Sequence, residues 1–172
     1  MDIGPDADFR LRGKIGVRYG NDVRRGFSAT FDWVQAGDGY VIELWGPLGQ
    51  GRTRLTGDGG RLTVTDGSGS SLTDVDPEAL MEAQLGWSAP VDVLRHWILG
   101  RPAPDHGVDA SLRDADGNLA RFEQLDWIVD LSRWRSTASR RLPGKVTATR
   151  EHRRITVICH EWSFPSADPA AA

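Results

Sequence analysis

The sequence contains a single cysteine, Cys159, among 172 residues. That excludes an internal disulfide framework and any metal site built from several thiolates. No apolar run approaches the roughly 18–20 residues that a membrane-spanning helix needs. Collagen-like and coiled-coil repeats are missing, and 39% hydrophobic against 26% charged residues argues against disorder. The opening residues Met1-Asp2-Ile3-Gly4-Pro5 carry neither a basic nor an apolar leader segment, so a soluble chain is expected as given. Catalytic groups are equally scarce. Gly67-Ser68-Gly69-Ser70-Ser71 reads as a polar turn and not as a nucleophile elbow. His96, His106, His152 and His160 lack metal-ligand spacing, and His160-Glu161 has no second histidine four positions on. Asp114-Ala115-Asp116-Gly117 lacks the glutamate that closes a calcium loop. No catalytic residue, metal or cofactor is expected, and the chain does not read as an enzyme.

Glycine and tryptophan are plentiful, at twenty and seven. Strict alternation from Phe9 to Tyr19 marks a half-buried strand, with Phe9, Leu11, Ile15 and Val17 opposite Arg10, Arg12, Lys14 and Arg18. Further strands are predicted over Arg24–Gln35, Tyr40–Trp45, Gly51–Thr56 and Arg61–Thr65, joined by glycine-rich turns. The period then changes. Asp76-Pro77-Glu78 opens a helix with an N-cap aspartate and proline at the first helical position, and Gly86 ends it. A second helix is predicted over Val91–Leu99, with Leu94, Trp97 and Ile98 on one face. Alternation returns at Leu119–Trp134, Lys145–Arg150 and Arg153–Phe164, where Cys159 falls as a small buried hydrophobe. The residues from Pro165 to Ala172 read as a disordered tail. The expected architecture is a single domain, mainly β with a few helices, in which one curved antiparallel sheet has helices over its open side.

Three features bear on function. Phe31, Trp33, Tyr40, Trp127, Trp134 and Trp162 fall on strand faces that the helices, through Trp97, would cover. Such bulk either plugs a plain core or lines an apolar cavity for a hydrophobic ligand. Gly46-Pro47-Leu48-Gly49 puts a leucine at a turn tip, where polar residues are usual. It either folds back on its sheet or projects as an apolar anchor for a membrane surface or partner groove. Charge is divided along the chain: eleven acidic against four basic residues from Asp58 to Asp116, then eight basic against Glu151 alone from Arg133 to Arg154. The basic segment is either a solvated face or a contact for an acidic protein or anionic lipid. It lacks the aromatic stacking pattern of nucleic-acid binders, so nucleic acid is not an expected partner.

The segments Phe31-Asp32-Trp33-Val34-Gln35, Gly46-Pro47-Leu48-Gly49, Leu94-Arg95-His96-Trp97-Ile98-Leu99-Gly100-Arg101-Pro102, Leu142-Pro143 and Ile155 to Trp162 together resemble the LolB family, the outer-membrane receptors of bacterial lipoprotein sorting. The order and spacing carry the resemblance, above all a Pro-Leu-Gly loop some fifty residues ahead of the Leu-Arg-x-Trp-Ile-Leu-Gly helix. It covers about Asp8 to Phe164. The resemblance implies an open (incomplete) antiparallel β-barrel with a helical lid, over about 76–99, above a hydrophobic cavity. It implies a protein that takes acylated lipoproteins from a LolA-type periplasmic carrier and inserts them into the inner leaflet of the outer membrane without nucleotide hydrolysis. Pro47, Leu48 and Gly49 are then the membrane-insertion loop, and Trp33 and Trp97 fall on cavity positions. Strand and helix faces add Phe31, Ile42, Leu44 and Leu94 to the expected cavity. Arg133, Arg135, Arg140 and Arg141 are expected to dock the carrier, and a monomer is expected. Family members are anchored through an acylated N-terminal cysteine, which this sequence lacks, so leader and lipidation site are expected to have been removed from a native lipid-anchored form. The alternative function is a periplasmic lipid or hydrophobic-ligand carrier that never inserts cargo.

Overall fold

The computed structural model describes residues 8–20, 22–137 and 140–165. The elements run β1 (Phe9–Tyr19), β2 (Asp22–Ala36), β3 (Gly39–Trp45), β4 (Thr53–Asp58), β5 (Arg61–Thr65), β6 (Ser71–Asp74), α1 (Pro77–Leu85), α2 (Val91–Trp97), β7 (Ala110–Arg113), β8 (Leu119–Gln124), β9 (Trp127–Ser132), β10 (Arg135–Thr137), β11 (Arg140–Leu142), β12 (Lys145–Arg150) and β13 (Arg153–Ser163). Eleven strands make one antiparallel sheet in the order β6-β5-β4-β3-β2-β1-β13-β12-β9-β8-β7, and β10 with β11 forms a separate ribbon. The sheet does not close, because β6 and β7 stand at its two opposite edges. The result is an open barrel with the two helices as its lid. Most of the expected tail lies outside the described residues.

Alternation is what curls the sheet around one core. Leu11, Ile15 and Val17 of β1 face inward with Ala29, Phe31 and Trp33 of β2, Ile42 and Leu44 of β3, and Val157 of β13. Registers keep these faces aligned, since a one-residue slip would turn every one of them outward. Gly57 sits opposite Tyr40 across β3 and β4, and the Tyr40 ring fills the place where a Cβ would stand, 2.1 Å from the nearest ring atom. Only glycine allows that ring to lie flat on the sheet.

Several elements depart from the expected strand pattern. The stretch Leu119–Trp134 is not one strand: it is the hairpin β8–β9, turned by Leu125 (φ 52°) and Asp126 (φ 65°). Two consecutive left-handed residues make the tight turn that suits the twist of paired strands, and β10 begins beyond it. The edge strands β6 and β7 and the ribbon strands β10 and β11 were not expected, and every residue in β6 and β7 is exposed. Helix α1 forms as its signals indicate: Asp76 accepts from the Ala79 amide at 3.2 Å, and Gly86 closes the end at φ 79°.

Candidate functional site

The lid is held to the barrel in two chemically different ways. Helix α2 is fixed from within. Trp97 is fully buried and its Nε1 donates to Gln124 Oε1 at 2.8 Å. The same oxygen accepts from the Ala103 amide, and Gln124 Nε2 donates to the carbonyls of Ala103 and His106, each at 2.9 Å. One buried amide thereby satisfies four partners, as a polar group in a dry interior must. The Trp97 ring meets Phe122 and Trp127 edge-on, with centroids 6.1 and 6.2 Å away. At the helix exit Gly100 (φ 84°) lies against the Trp134 ring, 2.4 Å from where a Cβ would stand.

Helix α1 buries Leu80 and Met81 in the core, and at the rim it and the connection after it are tied by polar groups. Tyr19 donates its hydroxyl proton to Glu82 Oε2 at 2.8 Å and accepts from the Ser88 amide at 3.1 Å. Ser88 Oγ donates to the same Glu82 oxygen at 2.8 Å. Arg153 of β13 donates to both Ser88 Oγ and the Ser88 carbonyl, and its guanidinium lies 3.8 Å from Glu78 and 3.9 Å from Glu82. Burial, and then the hydrogen bond to Glu82, raise the Tyr19 phenol above its ordinary pKa. One apolar contact accompanies this latch: Trp87 stacks on Phe27 at 4.4 Å.

Between lid and sheet lies a cavity of about 20 Å³, lined only by apolar residues. Phe31, Trp33, Ile42, Leu44 and Leu94 line it, joined by residues that sequence reasoning did not assign, among them Ile15, Leu55, Met81, Trp87 and Val91. Trp33 is fixed there by Nε1 donating to Gln35 Oε1 at 2.9 Å, and Gln35 in turn donates to the Gly37 carbonyl. Trp97 does not line the cavity. Its indole N–H needs an acceptor when buried, and Gln124 draws it to the β8–β9 side of the interior. Trp162 does not line the cavity either, and packs between Phe9 and Phe164. Trp87 could have been noticed from its place directly after the Gly86 cap, where an apolar residue commonly folds back. The space suits about one water molecule, so the lid is closed over a nearly filled interior.

The Gly46–Gly49 loop takes the opposite course. Leu48 is 92% exposed, the most exposed large apolar side chain among the described residues. The loop that presents it is braced: Gly46 N donates to the Gln50 carbonyl at 2.8 Å, Gly49 N to the Gly46 carbonyl at 2.9 Å, and Leu48 N to Gln50 Oε1 at 2.8 Å. At its root Arg52 lies over the Trp45 ring at 4.8 Å and pairs with Glu43 at 2.9 Å.

The four expected docking arginines cluster around the β10–β11 ribbon. Arg135 donates to the carbonyls of Cys159 and His160, Arg141 to Asn118 Oδ1, and Arg140 lies 4.1 Å from the Phe164 ring. Arg133, Arg135 and Arg141 remain exposed, with Arg133 in a left-handed turn at φ 57°. Cys159 is buried on the inner face, and burial pushes its thiol up to about 12, so it is an inert apolar filler at neutral pH. Among the described residues no group of histidine, cysteine or carboxylate side chains is placed to hold a metal ion.

Comparison with known proteins matches this architecture. The family model described as outer membrane lipoprotein LolB matches residues 7–162. The outer-membrane lipoprotein LolB of Halorhodospira halophila is 38% identical over 156 residues, spanning 91% of this chain and 75% of the relative. That of Chromohalobacter salexigens is 36% identical over 156 residues, spanning 91% and 71%. In structure, a LolA superfamily protein of Nitrosomonas europaea superposes with a TM-score of 0.62 over 97% of this chain and 90% of its own, at 8% identity, which shows a shared fold. With a lidded open barrel, an apolar interior and a leucine-tipped loop, the chain belongs to the LolB family of outer membrane lipoproteins.

Proposed function

We propose that the chain, acting as one unit, receives acylated lipoproteins from a LolA-type periplasmic carrier and inserts them into the inner leaflet of the outer membrane. In this reading the native protein is a lipid-anchored monomer on the periplasmic face, and no nucleotide is hydrolysed. The observation that carries it is the pairing of opposites on one barrel: an apolar interior closed to water and a braced loop that holds Leu48 in solvent. Acyl chains gain on the order of 0.8 kcal/mol per buried methylene, so transfer from cavity to cavity to bilayer can run on differences in affinity alone. Because the closed cavity has room for about one water, loading requires the lid to move away from Phe31, Trp33, Ile42, Leu44 and Leu94. Trp97 then serves as the fixed side of the lid. The exposed arginines at the β10–β11 ribbon, with Arg133 foremost, provide the docking face for the carrier.

Leu48→Glu is expected to leave uptake of a triacylated lipopeptide near normal, read by tryptophan fluorescence, while sharply reducing delivery to liposomes. Equal loss of both steps would sink this division of labour, and unchanged delivery would favour a ligand carrier that never inserts cargo. Transfer from a loaded carrier should slow strongly between about 0.05 and 0.5 M salt, over which the Debye length shrinks roughly threefold. A rate indifferent to salt would remove the arginines from the docking step.

A further inference from the structure

The outer face of the barrel divides its cations into two groups. Arg10 and Arg12 of β1 lie 2.6 and 3.7 Å from Asp32, Arg52 and Arg54 lie 2.9 and 2.6 Å from Glu43, and Arg121 lies 2.6 Å from Asp130. Lys14, Arg18, Lys145 and Arg154 share the same outer face but have no carboxylate within ion-pair distance among the described residues. Strand register brings these four together from distant parts of the chain. Lys14 and Lys145 flank Ile158 on either side, and Arg18 stands directly opposite Arg154. Like charges facing each other across a strand pair are destabilising, so this arrangement is kept against a folding cost. Apart from Ile158, the outward residues between the four are small or polar: Gly16, Thr147, Thr149 and Thr156.

The place of this patch fits it to a bilayer. Lys14 pairs with Thr30, and Thr30 with Trp45, so Lys14 lies in the row at the root of the Leu48 loop. Arg18 is four residues further along β1, about 13 Å at the usual rise per residue, towards the same end of the barrel that carries the loop. We propose that Lys14, Arg18, Lys145 and Arg154 form a headgroup-binding face that engages anionic phospholipid when Leu48 enters the membrane. Among the described residues the patch has no buried aromatic anchor of the kind that centres a protein–protein interface. Diffuse cations beside an apolar insertion point are instead the pattern that holds a protein on an anionic lipid surface. The proposal rests on the delivery reading only for placing this end of the barrel at a membrane.

The test is vesicle flotation of the chain on phosphatidylcholine alone and on phosphatidylcholine with one third phosphatidylglycerol. Arg154→Glu places a carboxylate opposite Arg18. It should therefore raise thermal stability while lowering the ratio of anionic to neutral vesicle binding by roughly 25-fold, at about fivefold per charge. Arg18→Ser should lower the ratio about fivefold. The uncharged change Leu48→Ser should instead lower binding to both vesicles and leave the ratio standing, so a failure of the loop reading is seen separately. A ratio unmoved by Arg154→Glu overturns the headgroup face. So does an Arg154→Glu protein that keeps the ratio but takes cargo slowly from a loaded carrier without vesicles, since that assigns the patch to an acidic protein.

Discussion

The two halves of the lid cover one cavity but are attached by different physics. Helix α2 is locked by a fully buried tryptophan, two aromatic neighbours and a buried glutamine that makes all four of its hydrogen bonds. Helix α1 buries Leu80 and Met81 but has no buried polar anchor of that kind, and it and Ser88 are tied by hydroxyls, a carboxylate and a guanidinium at the barrel rim. Water can take over each polar contact of the rim, whereas nothing replaces the packing around Trp97. A net hydrogen bond contributes only about 0.5–1.5 kcal/mol because water competes for it. Contacts that water can replace make α1 the more readily released half, and in the loading proposed above it is α1, with Leu80 and Met81, that parts from the barrel as Tyr19 and Arg153 let go.

The largest effect should come from breaking the fixed half. Trp97→Ala is expected to cost about 3–5 kcal/mol of stability, read from urea unfolding, with cargo uptake lost along with the fold. Arg153→Met addresses the releasable half. It should cost about 1–3 kcal/mol, the penalty for stranding partly buried acceptors, and yet speed lipopeptide loading in stopped-flow fluorescence. Slower loading would reverse the assignment of the two halves. The smallest effect concerns pH. Tyr19 titrates above its ordinary value near 10. A phenol raised in the folded state stabilises it fully below the unfolded value, and that contribution fades as pH rises through the folded value. The loading rate should thus be flat from about pH 7 to 9 as far as this group is concerned and should climb only above about 10. Tyr19→Phe should abolish the alkaline rise, which the same stopped-flow measurement would show.

Much of the barrel is legible in the sequence because half-buried strands announce themselves. β1 to β5 bury one face against the core, so their period of two is clean, and α1 carries its own start and stop residues. The β8–β9 turn is hidden because Leu125 and Asp126 replace the Asn-Gly or Asp-Gly that such turns favour. One signal was available: inward residues change from even positions, Phe122 and Gln124, to odd ones, Trp127, Val129 and Leu131. β6 and β7 could not be read, since strands exposed on both faces have no alternation to show. For the site, strand faces suffice to put Phe31, Trp33, Ile42 and Leu44 around one interior, and the helix face adds Leu94. The side of that interior that Trp97 enters depends on Gln124, 27 residues away, and on no local pattern. Linear charge was also a poor guide. The run from Arg133 to Arg154 splits between the ribbon and the outer sheet, where Arg154 meets Arg18 from the other end of the chain.

An unclosed barrel has two free edges, and a free edge is a template on which another chain can add a strand. β6 and β7 are only four residues each, both carry exposed leucines, Leu72 and Leu112, and both are bordered by acids, Asp74 and Asp76 on one side, Asp109 and Asp114 on the other. Short length and repelling charge keep such edges from stacking copy upon copy. The acids that border β6 and β7 within the stretch from Asp58 to Asp116 therefore oppose edge-to-edge pairing in a fold whose sheet stays open.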